Sequence, residues 1–259
     1  GTTAVLIDNI FDLTEAPSAM RRWRDLLGDQ IPAQATPIAS VGTIADSPDG
    51  QSQVRNRTVA SLGFVWVGEP DEGQQLVPLV DGLGVSLSKR VEEVSYLGLQ
   101  SVDDEVHRPG SYRRYFKGHY LSELSDDAIE AFLSQGEPDP GADRSRLPNG
   151  SFQGYGGAIA ATSNEDSAFS HRNALVEFVA ATRWTDAAED GERMAAARRY
   201  GAVLEPYASG VYVNVLADEG ERGVRRAYPA DKLTKLAALK LRYDPDNVFH
   251  LNQNIRPST

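Results

Sequence analysis

Between Thr58 and Gly68 the chain alternates: Leu62, Phe64 and Trp66 take one side, Ser61, Gly63 and Val65 the other. Side chains two apart share a face of a strand, so the pattern predicts a sheet with one well-buried face. Similar β-branched and apolar patterning predicts strands over Thr3–Leu13, Pro37–Ile44, Lys89–Val94, Tyr112–Tyr120, Ser151–Thr162 and Asn173–Thr182. Helical spacing governs other stretches. Met20, Trp23 and Leu27 line one face of a helix over Glu15–Gly28, opened by Thr14 and stopped by Gly28. Pro70–Leu79 reads as a helix kinked at Pro78, Ser125–Gln135 as one capped by Ser125, and Ala187–Glu205 as one aligning Met194, Ala197, Gly201 and Leu204. A last helix runs from about Asp231 to Tyr243, with Lys240 inside the border of its apolar face. Lys240 is expected to snorkel, its stem packed and its ammonium in solvent.

Strung together, the elements run β-α-β-β-α-β, then β-α-β-β-α-β-α, loosely two copies of a split βαβ unit. Short connections between paired strands predict an α+β fold, a mostly antiparallel sheet with helices on one face. The polar stretches Ala45–Gly50 and Gly136–Asp143 read as loops. The second separates elements of one fold, because strand and helix alternate the same way after it.

Composition sets outer bounds. A chain of 259 residues can bury a large core, and 41% hydrophobic with 24% charged residues is ordinary for a soluble globular protein. A net charge of −11 argues against nucleic acid as a partner, since phosphate binding needs clustered Lys and Arg. The absence of Cys rules out disulfides, thiol catalysis and thiolate metal sites, and is neutral as to compartment, cytoplasmic or secreted. No run of about 18 apolar residues predicts a membrane-spanning helix. The chain starts at Gly1 without Met and enters the apolar run Ala4–Ile7 at once, which reads as a cut at a boundary. No metal-binding spacing is present; His107 and His119 stand far in sequence from any carboxylate pattern.

Candidate chemistry concentrates near the C-terminus. Gly210-Val-Tyr-Val-Asn214 reads as a strand with Tyr212 and Asn214 on one side. The helix after it is stopped by Asp244-Pro245, and the tail carries Asn252, Gln253 and Asn254. Amides offer donor and acceptor together, which suits the edge of a heteroaromatic ligand and equally suits tail-to-core hydrogen bonding.

Tyr212-x-Asn214, then Lys240-x-x-Tyr243-Asp-Pro-x-Asn247-x-Phe249, then Asn252-Gln-x-Ile255 resembles the signature of berberine bridge enzyme-like FAD-linked oxidoreductases, within the vanillyl-alcohol oxidase superfamily. Gly154-Tyr-Gly-Gly-Ala158 and Ala168-Phe-Ser-His-Arg172 resemble further family segments, with Ser170 in place of a usual Pro. The resemblance implies a substrate-binding domain over residues 1–209, its sheet roofing a flavin. It implies that residues 210–259 return to an FAD domain which this chain lacks. By resemblance, Tyr155 and Tyr212 are candidates for the base that takes the substrate proton as hydride passes to FAD. Such a tyrosine serves if a neighbour lowers its pKa. Tyr212, Asn214, Asn252 and Asn254 are then flavin contacts, and Tyr96, Gln100 and Tyr155 border the substrate.

Each residue has a plainer reading. Tyrosines are common in cores, and His171-Arg172 suits a hydrogen-bond node at a strand end. The glycines at 154–157 lie inside a strand pattern and suit a bulge or close approach, not a phosphate cradle. The implied partners are a small-molecule substrate and an FAD-binding half, as a separate chain or missing segment, with self-association through the open face. The alternative is a non-catalytic α+β binding module with a ligand cavity. An oxidase fragment is expected to place Tyr155, Tyr212 and Asn214 on one open face; a self-sufficient module is expected to bury them.

Overall fold

The computed structural model describes residues 2–28, 31–44, 56–102, 104 and 108–258; the expected loop Ala45–Gly50 and His107 lie outside them. The described strands are β1 (Thr3–Asp12), β2 (Ala35–Thr43), β3 (Thr58–Val67), β4 (Ser88–Ser95), β5 (Arg113–Leu121), β6 (Asn149–Gly154) and β7 (Val176–Trp184). They form one sheet in the order β4-β1-β3-β2-β6-β7-β5, with every pairing antiparallel. The order carries the duplication. In each unit the first strand lies beside the third and the third beside the second, and the two second strands, β2 and β6, join the units.

In the first unit a fourth strand, β4, closes on β1. The expected strand Gly210–Asn214 stands in the equivalent place beside β5, but it is reduced to a single bridge, Tyr120 to Gly210. The chain then tightens into a 3-10 turn over Val213–Val215, so Tyr212 and Asn214 sit on a turn. Two further expectations change. The strand begun at Ser151 stops at Gly154, because Gly157 takes a left-handed φ of 51° and opens a helical turn, Gly157–Ala161. The stretch Pro70–Leu79 breaks into short helical pieces, Pro70–Gly73, Gln74–Leu76 and Val77–Asp81.

Helices α1 (Ala16–Leu26), α2 (Asp126–Ser134) and α3 (Asp190–Leu204) cover one face of the sheet. Met20 and Trp23 of α1, Ile129 and Phe132 of α2, and Tyr200 and Leu204 of α3 share one core with Leu62, Phe64, Phe152 and Phe178. The rings pack in direct contact: Phe132 stacks on Phe152 at 4.1 Å, and Phe178 meets Tyr200 edge-on at 5.0 Å. Helices α4 (Gly220–Ala227) and α5 (Ala230–Tyr243) follow, the first in a separate small cluster with Val211 and Leu216. Among the described residues no helix is long and apolar enough to cross a membrane.

Behind β5, on the helix side, His119 is buried. Its Nε2 donates to the Gly201 carbonyl at 2.8 Å, while Nδ1 accepts from the Arg226 guanidinium at 2.7 Å. That arrangement fits only the neutral ring, and burial pushes its pKa down to about 4.

Two stability measurements check this packing. Phe178→Ala should cost about 3–5 kcal/mol in urea unfolding, the usual loss for a large core ring; a loss near zero would show the aromatic cluster to be loose. His119 should make stability depend on pH. Its folded pKa lies below the unfolded value, so stability is complete above about 6.5 and falls as the pH drops toward about 4. The loss should approach roughly 3 kcal/mol and should disappear in His119→Asn measured over the same window.

Candidate active site

The candidate site residues gather on the face of the sheet without helices. Glu177 lies opposite Tyr120 of β5 on one side and Gln153 of β6 on the other. Tyr155, just past β6, continues the pairing through its N–H to the Leu175 carbonyl at 3.0 Å. Its hydroxyl donates to Oε2 of Glu177 at 2.7 Å and lies 3.3 Å from the Tyr120 hydroxyl. Glu177 is only 9% exposed. Burial raises its pKa, and the Tyr155 hydrogen bond partly offsets that rise.

Tyr155 does not fit the expectation of a lowered pKa. Burial first, then its hydrogen bonds to Tyr120 and Glu177, push the phenol far above its usual range. Tyr120 is raised as well, chiefly by burial. Tyr155 is therefore held as a neutral phenol near neutral pH, hydrogen-bonded to Glu177.

An aromatic row extends from this pair. Phe169 stacks beside Tyr155 at 6.3 Å and meets Tyr212 edge-on at 5.9 Å. Asn214 Nδ2 donates to the Tyr212 hydroxyl oxygen at 2.7 Å. Tyr155 and Tyr212 are half-buried and Asn214 is exposed, so the structure links all three through one ring without enclosing them. A cavity of about 170 Å3 lies between Tyr120, Phe169, Tyr212, Asn214 and Tyr228. On its other side the Tyr155 ring walls an apolar cleft of about 380 Å3 with Leu27, Ile31, Pro37 and Leu175.

The tail reaches this region through Gln253, whose amide donates to the Leu216 carbonyl at 2.9 Å, next to the turn bearing Tyr212 and Asn214. Asn254 Oδ1 is buried and has no partner among the described residues, whereas Asn252 is exposed with a left-handed φ of 58°. Tyr96 and Gln100 sit on a helical turn after β4, at the far edge of the sheet. Four strand spacings, about 19 Å, separate β4 from β6, so the fold does not bring these two beside Tyr155.

His171 acts as a node, as its plainer reading holds. Its Nε2 bonds the Arg226 carbonyl at 3.0 Å, and its ring lies 5.4 Å from Tyr120. Gly210 leaves it room, for a Cβ there would fall 2.4 Å from the imidazole. Lys240 departs from expectation. Its ammonium is drawn inward to the Asp244 carboxylate and, at 2.6 Å, to the Phe249 carbonyl. Asp244 also accepts from the N–H groups of Val248 and Phe249, so the pair staples the turn after α5. Among the described residues no group of three His, Cys, Asp or Glu is placed to hold a metal.

Glu177 and Tyr120 escaped the sequence reading. The available signal was a carboxylate inside the otherwise apolar run Ala174-Leu-Val-Glu-Phe-Val179. An acid buried in a strand requires a partner.

Comparison with known proteins finds a family match in the C-terminal segment and a shared fold over the whole chain. The family described as "Berberine and berberine like" matches residues 211–256. An uncharacterised FAD-linked oxidoreductase of Bacillus subtilis, YvdP, is 31% identical over 107 residues, 41% of this chain and 24% of that protein. An FAD-linked oxidoreductase of Dictyostelium discoideum is 24% identical over 235 residues, covering 90% of this chain and 48% of its own length. The chain thus spans no more than about half the length of these relatives. The fold is that of Physcomitrella patens BBE-like 1 (TM-score 0.76, 18% identity, 100% of this chain and 55% of that one). It is equally that of the berberine bridge enzyme from Eschscholzia californica (TM-score 0.72, 15% identity, 99% and 55%). The chain thus carries a C-terminal segment similar to the berberine and berberine-like family, and it shares the fold of berberine bridge enzyme-like proteins over its whole length.

Proposed function

We propose that this chain supplies the substrate-binding domain (residues 1–209) and the returning C-terminal segment (residues 210–259) of an FAD-dependent oxidase or dehydrogenase. Its substrate is a hydroxyl or amine compound. One observation carries the reading: the Tyr155 hydroxyl donates at 2.7 Å to the buried carboxylate of Glu177, beside an aromatic row on the open face of the sheet.

A substrate O–H or N–H would donate to the Tyr155 oxygen. As that proton arrives, Tyr155 hands its own to Oε2 of Glu177, so no phenolate need exist beforehand. Burial raises the proton affinity of Glu177 and makes it a suitable end-point. Tyr120 and the ring of Phe169 hold Tyr155 in place and keep bulk water from it. FAD, when bound, would supply the hydride acceptor for the carbon bonded to that oxygen or nitrogen, so that loss of the proton and the hydride leaves a carbonyl or imine.

The chain's residues fit such a group. The unpartnered Oδ1 of Asn254 and the amide of Asn214 offer an acceptor and a donor to a ring edge. With Tyr212 and Asn252 they form the proposed flavin contacts. Tyr96 and Gln100 would meet a substrate long enough to cross the sheet. The proposed partner is an FAD-binding half, as a further segment or a separate chain. Exposed Leu239, Tyr243, Val248, Phe249 and Leu251 give the C-terminal helix and tail an apolar surface for it.

Substitutions in the FAD-assembled enzyme separate the candidate roles. Tyr155→Phe and Glu177→Gln should each slow flavin reduction by roughly 100-fold or more, followed by stopped-flow absorbance. Unchanged rates in both would remove the pair from the chemistry and leave Tyr212 as the candidate base. Tyr212→Phe keeps the ring and deletes one hydroxyl, so it should cost stability only about 1 kcal/mol. Its flavin-reduction rate should suffer more than its unfolding midpoint; a large stability loss with normal reduction would make Tyr212 structural.

A further inference from the structure

We propose that Lys232, in the C-terminal segment, is the positioning residue that sets the aromatic row of the active site. The inference rests on the oxidase reading above. Lys232 is the buried residue of α5, 6% exposed, and its ammonium meets no carboxylate among the described residues. A charge withdrawn from water is costly unless it is paired or well hydrogen-bonded. Here Nζ donates to two main-chain carbonyls, those of Asn164 and, at 2.9 Å, Phe169. The Phe169 carbonyl accepts no other bond from the described residues.

Those two carbonyls stand at either end of the loop that delivers Phe169, so one ammonium closes the loop from inside. Lys235, nearly one turn further on, closes it from outside through Glu165 at 2.8 Å. That second pair is 65% and 62% exposed, and a pair so wet contributes little. Arg172 lies over the Phe169 ring at 4.9 Å and fixes its tilt, but its own guanidinium is bonded within the same stretch, to Ile159 and Ser167. Lys232 alone of these three ties the loop to another element from a buried position. The ring it holds is the one between Tyr155 and Tyr212. Rates of positioned reactions respond steeply to displacements near 1 Å. A plain apolar residue would fill the volume more cheaply, and the ammonium adds directed hydrogen bonds to the main chain of the site.

The test uses the FAD-assembled enzyme with 4-fluorophenylalanine incorporated at position 169. Lys232→Met keeps the apolar stem and removes donors and charge; Lys232→Arg keeps both. The fluorine resonance, sensitive to the neighbouring tyrosine rings, should shift in Lys232→Met and return in Lys232→Arg. Flavin reduction should slow roughly 10-fold or more in Lys232→Met, recover in Lys232→Arg, and show little change in KM. Adding Phe169→Leu to Lys232→Met should bring no further loss, because both act through one ring. If Lys232→Met fails to fold, Lys232→Gln replaces it and should shift the resonance in the same direction. An unmoved resonance, or losses that multiply with Phe169→Leu, overturns the proposal. A shifted resonance in an enzyme whose flavin no hydroxyl or amine compound reduces upholds the positioning role and overturns the oxidase reading instead.

Discussion

The pairing of β2 with β6 is the joint on which the molecule depends. It runs over four register pairs, from Ile38–Gln153 to Val41–Gly150, and turns two split units into one sheet. The approach is close enough to demand glycine. A Cβ on Gly42 would fall 2.3 Å from the Asn149 side chain, and one on Gly154 would fall 2.7 Å from the Pro37 ring. Register follows the same joint. Gln153 is fixed against Ile38 on one side and Glu177 on the other, so Tyr155 leaves β6 at the end of the sheet where Glu177 waits. A slip of one residue would send Glu177 into the aromatic core and Phe178 into the site.

The two faces of the sheet treat buried titratable groups in opposite ways. On the helix side His119 is held neutral between a carbonyl and a guanidinium, with all its ring hydrogen bonding used. It is a structural node. On the open side Glu177 accepts at Oε2 from Tyr155, a tyrosine that reaches toward the cavities. Burial raises the proton affinity of both Glu177 and Tyr155, and in the proposed function that keeps a proton between them available for relay.

The C-terminal segment completes the site from a distance. It begins as the vestigial fourth strand at Gly210, supplies Tyr212 and Asn214 on a turn, and returns through α5 to grip the Phe169 loop by Lys232. Gln253 then ties the tail back beside the same turn. The berberine-like stretch, residues 211–256, thus includes both the turn bearing Tyr212 and Asn214 and the lysine bonded to the Phe169 loop.

Local pattern alone determined the core of each of the seven strands, the long helices, the α+β class and the duplicated order, but not where the strand from Ser151 ends. Those follow from period-two and period-3.6 alternation, which neighbours along the chain set by themselves. The motif Tyr212-x-Asn214 and the Asp244-Pro245 helix stop were equally legible, being short and contiguous. Tertiary structure decided the rest. Tyr120, Tyr155 and Glu177 become one cluster only through β5–β7 and β6–β7 register, across separations that no local pattern encodes. Gly210–Asn214 carries strand-like residues, yet only Gly210 bridges to β5, so propensity yielded to the 3-10 turn that follows. Lys240 reads as an ordinary helix lysine, and no motif in the sequence singles out Lys232. Whether an ammonium faces water or main-chain carbonyls depends on what folds against the helix, and the helix's own sequence does not contain that information.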